Sequence, residues 1–166
     1  KKIKEIQSQQ KLAKYNYPTK ADFWSFMSEY WLVKKAQALQ WDITRPAYGI
    51  EQAFKGLLEE LGYYKKKFKI LIVNSPDITH VGLPSDKDEV IILLSLPFMR
   101  TLDLTKVDLS VILLEDFFRV EQFYFAKNIK TDLKFLGGNF SGSKMNKKHL
   151  DNLLSEYDRI IYKSGF

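Results

Sequence analysis

The sequence predicts an α+β domain, mostly helical, with a small β-sheet. Three observations point there. Apolar residues recur at helical spacing near both ends and again past the middle of the chain. Short β-branched runs are confined to one stretch, Phe68 to Leu94. The order is therefore helices, a strand cluster, a helix, a long loop and a last helix, which favours α+β over a doubly wound sheet. A chain of 166 residues, 45% apolar and 28% charged, has an ordinary globular composition and is long enough for a real core. It reads as a single domain, residues 1–166, with residues 1–18 as an N-terminal helical extension. No repeats occur.

The elements follow in order. Lys1 to about Tyr15 is rich in Lys and Gln with sparse apolar residues, and Asn16-Tyr17-Pro18 breaks it. Thr19, with Asp22 three residues on, caps a helix running to about Trp41. Its apolar face carries Phe23, Phe26, Met27, Tyr30, Trp31, Val33 and Leu39; Lys34, Lys35 and Gln37 are its wet side. Pro46 opens a third helix with Ile50, Ala53, Phe54, Leu57, Leu58 and Leu61 at helical spacing, and Gly62 ends it. Phe68 to Val73 is a strand. Thr79 to Leu83 is a short second one, closed by Pro84, and Ser85 to Asp88 is a hairpin turn. Val90 to Leu94 is the third, and Leu96 to Leu102 forms a short helical turn. Asn128 to Lys144 is polar and contains Gly137, Gly138 and Gly142, so it reads as a loop. A final helix spans about Asn146 to Lys163, with Leu150, Leu153, Leu154, Tyr157, Ile160 and Ile161 inward.

The central stretch is Thr105 to about Phe125. Thr105 and Asp108 make a capping-box start. Apolar residues crowd most of its circumference, among them Val107, Val111, Leu113, Phe117 and Phe118, which predicts a buried helix. Asp108, Glu115, Arg119 and Gln122 nevertheless fall on one line at about 100° per residue. Either Glu115 and Arg119 are an i,i+4 ion pair on a wet face, or the polar seam lines a cleft.

Composition narrows the functional classes. The chain has no Cys, which excludes disulfides, thiolate zinc sites and a Cys nucleophile. No apolar run reaches the roughly 18–20 residues of a membrane span. Net charge is +6, compatible with an acidic partner but too diffuse to argue nucleic acid alone. Aromatics reach 14%, with twelve Phe, nine Tyr and three Trp, implying a bulky core or a groove. Lys65, Lys66, Lys67 and Lys69 read either as an anion patch or as lysines guarding a strand edge. The two histidines, His80 and His149, read as surface or hydrogen-bonded groups. Gly137-Gly138 lacks the Lys-Ser/Thr of a phosphate loop. The chain starts at Lys1 rather than Met and reads as trimmed. That leaves room for a signal peptide, lipid anchor or flanking domain, and for a periplasmic or membrane-anchored setting.

In its order of motifs the chain resembles the gluzincin zinc metallopeptidases of the CAAX-prenyl-protease and heat-shock membrane-protease type. Ile78-Thr-His-Val-Gly-Leu-Pro84 followed by Val90-Ile-Ile-Leu-Leu94 is similar to the Asn-Ala-Phe-Ala-Leu-Pro-like segment and strand that precede the zinc helix in that family. Leu113-Leu-Glu-Asp-Phe-Phe-Arg-Val-Glu-Gln122 is similar to the helix bearing H-E-x-x-H. Glu156-Tyr-Asp-Arg-Ile-Ile-Tyr-Lys-Ser-Gly-Phe166 is similar to the closing helix. The resemblance covers about Ile50 to Phe166 and implies a zincin-like fold.

The same resemblance implies a degenerate site. H-E-x-x-H works because two imidazoles one turn apart grip one zinc and the Glu activates its bound water. Glu115 stands at the first His, Asp116 at the general-base Glu and Arg119 at the second His. Arg is no zinc ligand, since it stays protonated. If Asp158 matches the second carboxylate of the closing helix, the ligand position falls on Leu154. No cofactor and no metal is then expected. Glu115 and Arg119 are expected to fill the metal's place as a paired unit, costing roughly 3–5 kcal/mol to break if buried.

The expected function is a pseudopeptidase domain that binds a protein or peptide partner, with Val90, Ile91, Ile92, Leu93 and Leu94 as a peptide-binding edge strand. One alternative is a hydrolase using carboxylates or a non-zinc metal in the same cleft. Glu115 and Asp116 diverge by about 100° on a helix, which speaks against their facing one substrate together. The other alternative is a basic domain binding anionic lipid or nucleic acid through Lys65, Lys66, Lys67 and Lys69, with nucleic acid the less favoured.

Overall fold

The computed structural model describes residues 2–4, 21–86, 88–101, 103–130 and 147–163. The predicted Thr19 cap and most of the predicted first helix and Gly-rich loop lie outside the described residues. The elements are α1 (Ala21–Leu39), β1 (Ile43–Thr44), α2 (Tyr48–Glu60), β2 (Lys67–Val73), β3 (His80–Pro84) and β4 (Glu89–Ser95). There follow α3 (Leu96–Thr101), α4 (Lys106–Glu121), α5 (Tyr124–Asn128) and α6 (Lys147–Lys163). The class is α+β, with a small mixed sheet.

The sheet runs in the order β1-β2-β4-β3. β2 and β4 are parallel; β1 and β3 lie antiparallel at the two edges. This corrects the expectation for Val90 to Leu94. That segment is β4, bonded on both sides, and offers no free edge. Its unbroken apolar run is what a strand buried on both faces carries. Two-residue periodicity then divides the sheet. Ile70, Ile72, Val90, Ile92 and Leu94 face one core with α2, α3 and α4. Val73, Val81, Leu83, Ile91 and Leu93 face another with α1, α5 and α6. Helices therefore cover both faces.

The apolar core explains each placement. α1 turns Phe23, Met27 and Trp31, at fourfold spacing, onto the second core. α2 lays Phe54 and Leu58 against Phe68 and Phe117 of the first core; the Phe54 and Phe68 rings meet edge-on at 4.8 Å. Gly62 takes φ +88 just after the α2 C-cap Leu61, as its position at a helix end predicts. The two-residue strand β1 carries no period-2 signal that could have announced it.

α4 departs from expectation in two ways. Its N-terminus is the anticipated capping box, with Asp108 N–H donating to Thr105 Oγ1 and Thr105 N–H donating to the Asp108 carboxylate. The Thr105 hydroxyl also donates to that carboxylate at 2.7 Å, and this bond, followed by the one from the Thr105 N–H, holds the Asp108 carboxyl below its ordinary value. The helix, however, stops at Glu121, and Phe123 takes a left-handed φ of 60 before α5 begins. It is also not buried all round: Val107 is 72% and Val111 58% exposed.

β3 and α4 approach closely at Gly82. A Cβ there would sit 2.7 Å from the Asp116 carbonyl oxygen. Gly82→Ala is expected to push α4 off the sheet and lower stability by about 1–3 kcal/mol. Urea unfolding would measure it, and a loss below a few tenths would mean the helix yields freely.

Candidate functional site

The site forms where α4 crosses β3. Alternation turns Val81 and Leu83 to the far core, so His80 and Gly82 face α4. Having no side chain, Gly82 lets the backbone of α4 come down onto the strand. That approach brings Asp116 within 2.7 Å of His80, Oδ2 to Nδ1. Asp116 is 1% exposed, the one buried carboxylate among the described residues. The His80 ring also lies against Phe98, centroids 5.1 Å apart.

His80 is held above its ordinary pKa. The hydrogen bond that its Nδ1–H donates to Asp116 is the largest cause, burial opposes it, and the charges of Asp116 and then Glu115 add to it. The Arg119 charge pulls the other way. Four residues thus share one electrostatic neighbourhood: His80, Asp116, Glu115 and Arg119. When the imidazole is protonated, it sets a positive charge beside the buried Asp116 carboxyl group.

Glu115 and Arg119 do pair: Arg119 Nη2 donates to Glu115 Oε1 at 3.0 Å. The pair is exposed, however, its side chains 62% and 39% accessible for Glu115 and Arg119 respectively. It therefore does not fill a hole in the interior. The charge seam takes the wet face of a helix whose other side meets the sheet, and the 3–5 kcal/mol expected of a buried pair does not apply. Arg119 also lies over the Tyr124 ring, 5.7 Å from its centroid, which steadies the guanidinium at the α4–α5 bend.

Leu154 and Asp158 do not join this group. Leu154 packs against the core on the other face of the sheet. Asp158 accepts a hydrogen bond from Trp31 Nε1 at 2.7 Å and pairs with Lys35 at 3.0 Å. Its partners are both on α1. The expected grouping of Leu154 and Asp158 with Glu115, Asp116 and Arg119 is thus corrected: an indole N–H and an ammonium on α1 hold the Asp158 carboxylate. Nearby, Ser28 and Tyr157 hydroxyls lie 3.4 Å apart, and burial pushes the Tyr157 phenol far up.

Two of the four lysines, Lys66 and Lys69, meet acidic partners within the fold. Lys66 bridges Asp88 at 3.7 Å and Glu121 at 2.9 Å, tying the β3–β4 turn to the end of α4. Lys69 pairs with Glu89 at 3.5 Å. His149 lies half-buried on α6. Among the described residues no three His, Cys, Asp or Glu side chains form a metal-binding group, and no helix is long and apolar enough to cross a membrane.

No family model matches the chain, and no curated protein or solved structure matches it.

The His80–Asp116 pair escaped the sequence reading. A glycine inside a two-residue alternation, His80-Val81-Gly82-Leu83, was the available signal. It marks the strand face where a neighbouring backbone comes close.

Two outcomes follow. A folded-state pKa above the unfolded value contributes stability that is full below about pH 6.5 and disappears as pH rises through the folded value. The stability advantage of the native chain over His80→Asn should therefore be larger at about pH 5.5 than at about pH 9, measured by urea unfolding; an equal difference would deny the ion pair. A double-mutant cycle on Glu115→Ala and Arg119→Ala should give a coupling of about 0.3–0.5 kcal/mol. A coupling of several kcal/mol would restore the buried reading.

Proposed function

We propose that this chain is a zincin-like domain that works without zinc and binds an extended peptide rather than cutting it. One observation carries the reading: Asp116, at the position of the metallopeptidase general base, is buried and its carboxylate is engaged by His80. A base that must poise a metal-bound water needs a free carboxylate beside two imidazoles. Here the flanking positions hold Glu115 and Arg119, bonded to each other.

The peptide surface is β3, not β4. β3 is the terminal strand of the sheet and runs directly over α4, the place where the resemblance implies an extended peptide. Ser95 N–H donates to Thr79 O. The antiparallel alternation then pairs Val81 with Leu93 and Leu83 with Ile91, and turns the N–H and C=O of His80 and Gly82 away from β4. Those groups offer a ladder to an incoming strand. His80 marks the floor of that edge with a titrating charge.

A second reading rests on the same dyad. An imidazole oriented by a buried carboxylate is an acid–base arrangement, which would make the site hydrolytic without metal. The lipid or nucleic-acid reading is weaker, because Lys66 and Lys69 already have acidic partners.

Protein purified without a tag should carry substoichiometric zinc by mass spectrometry. It should leave peptides intact while extended peptides perturb the His80 and Gly82 amide signals. Stoichiometric zinc, with hydrolysis abolished by Asp116→Asn in a protein of native circular dichroism, would overturn the proposal. Metal-independent hydrolysis lost on His80→Asn would transfer the site to the second reading.

A further inference from the structure

The opposite edge of the sheet carries a second opening. β2 bonds to β4 along its whole length, Lys67 to Val73, but β1 covers only Ile72 and Val73. The cause is local. Pro46 has no N–H to continue a ladder, and the chain leaves the sheet there to begin α2 at Tyr48. Among the described residues no strand pairs with the outer edge of β2 from 67 to 71, a length of about 16 Å in extended chain.

The edge has a defined hydrogen-bond phase. Lys67 N–H donates to Asp88 O on the β4 side at 2.6 Å. Alternation then turns the N–H and C=O of Phe68 and Ile70 outward, toward the space β1 vacates. Along that edge lies a groove of about 520 Å³ between β2 and α2.

The groove is basic. Arg45, Lys55, Lys66, Lys67 and Lys69 line it, against Glu51 and Glu89. Arg45 meets Glu51 only at 3.7 Å, and Lys69 meets Glu89 at 3.5 Å. Lys55 and Lys67 are exposed and carry no ion pair among the described residues. Two unneutralised ammonium groups thus flank a row of strand-edge donors and acceptors. Such lysines repel a second copy of this same edge. By the same charge they favour a strand of opposite sign.

We propose that the β2 edge receives an extended acidic peptide segment, which continues the sheet in line with β1 and sets its carboxylates against Lys55 and Lys67. Main-chain bonds to Phe68 and Ile70 supply the register, and the lysines choose the sign of the partner. The site is separate from the β3 edge and does not rest on the zinc-free reading.

The probe is a fluorescent eight-residue peptide alternating Glu and Thr, followed by anisotropy at low salt. It is expected to bind, to weaken as salt rises, and to lose at least tenfold in affinity to Lys55→Glu with Lys67→Glu, both exposed positions. N-methylation of alternate peptide residues, which keeps every charge but removes the ladder donors, is expected to abolish binding in one of its two phases. Phe68 and Ile70 amides should gain exchange protection with the peptide. Equal binding of both N-methylated peptides, tighter binding of a single-stranded oligonucleotide or of phosphatidylserine vesicles, or no binding by the native chain would each overturn it.

Discussion

The constraint on which this molecule turns is the contact between a strand without a side chain and a helix carbonyl. At Gly82 the backbone of α4 rests almost on β3. Helices usually stand off a sheet by the depth of the side chains between them. Removing one Cβ from that layer lowers α4 locally and delivers Asp116 to His80. Burying a carboxylate is costly unless a partner meets it. The imidazole is that partner, so close packing and charge pairing depend on each other. Phe117, next to Asp116, fixes the helix rotation by filling the core against Phe54 and Tyr63.

Much of the fold was legible because its signals are periodic or steric. The apolar runs of β2 and β4, the Thr105–Asp108 cap, Gly62 after α2 and Pro84 at the end of β3 all act through local rules. What stayed hidden was which side of α4 faces out. Val107, Val111, Leu113, Phe117 and Phe118 cover so much of the circumference that hydrophobicity could not orient the helix. Exposure of Val107 and Val111 shows that the polar line of Glu115 and Gln122 was the better guide to water. Phe123 resisted prediction for another reason. A left-handed aromatic has no sequence signature and follows from tertiary packing.

The candidate site divides in the same way. Glu115, Asp116 and Arg119 share α4 and could be related by helical geometry alone. That geometry correctly separates Glu115, in water, from Asp116, in the interior. Joining them to Leu154 and Asp158 needed the position of α6, which depends on contacts far apart in sequence. Leu153, Tyr157, Ile160 and Ile161 commit α6 to the α1 side of the sheet. Once they are buried there, Asp158 meets Trp31 and Lys35. A spacing shared with another protein's motif constrains nothing about which layer a helix joins.

The two sheet edges make the last distinction. A free edge invites pairing with any strand unless chemistry limits the choice. β3 is limited by shortness and by Pro84, which has no N–H to give. β2 is limited by charge: its lysines turn away basic strands, including its own copy, across the stretch that β1 leaves bare. One edge carries an imidazole held above its ordinary pKa by the neighbouring carboxylate, and the other a rim of lysines. A strand added at the first, as proposed, would respond to pH, and one added at the second to salt. A partner spanning both edges would have to satisfy two different conditions, so the sheet is better understood as two independent edges than as one continuous surface.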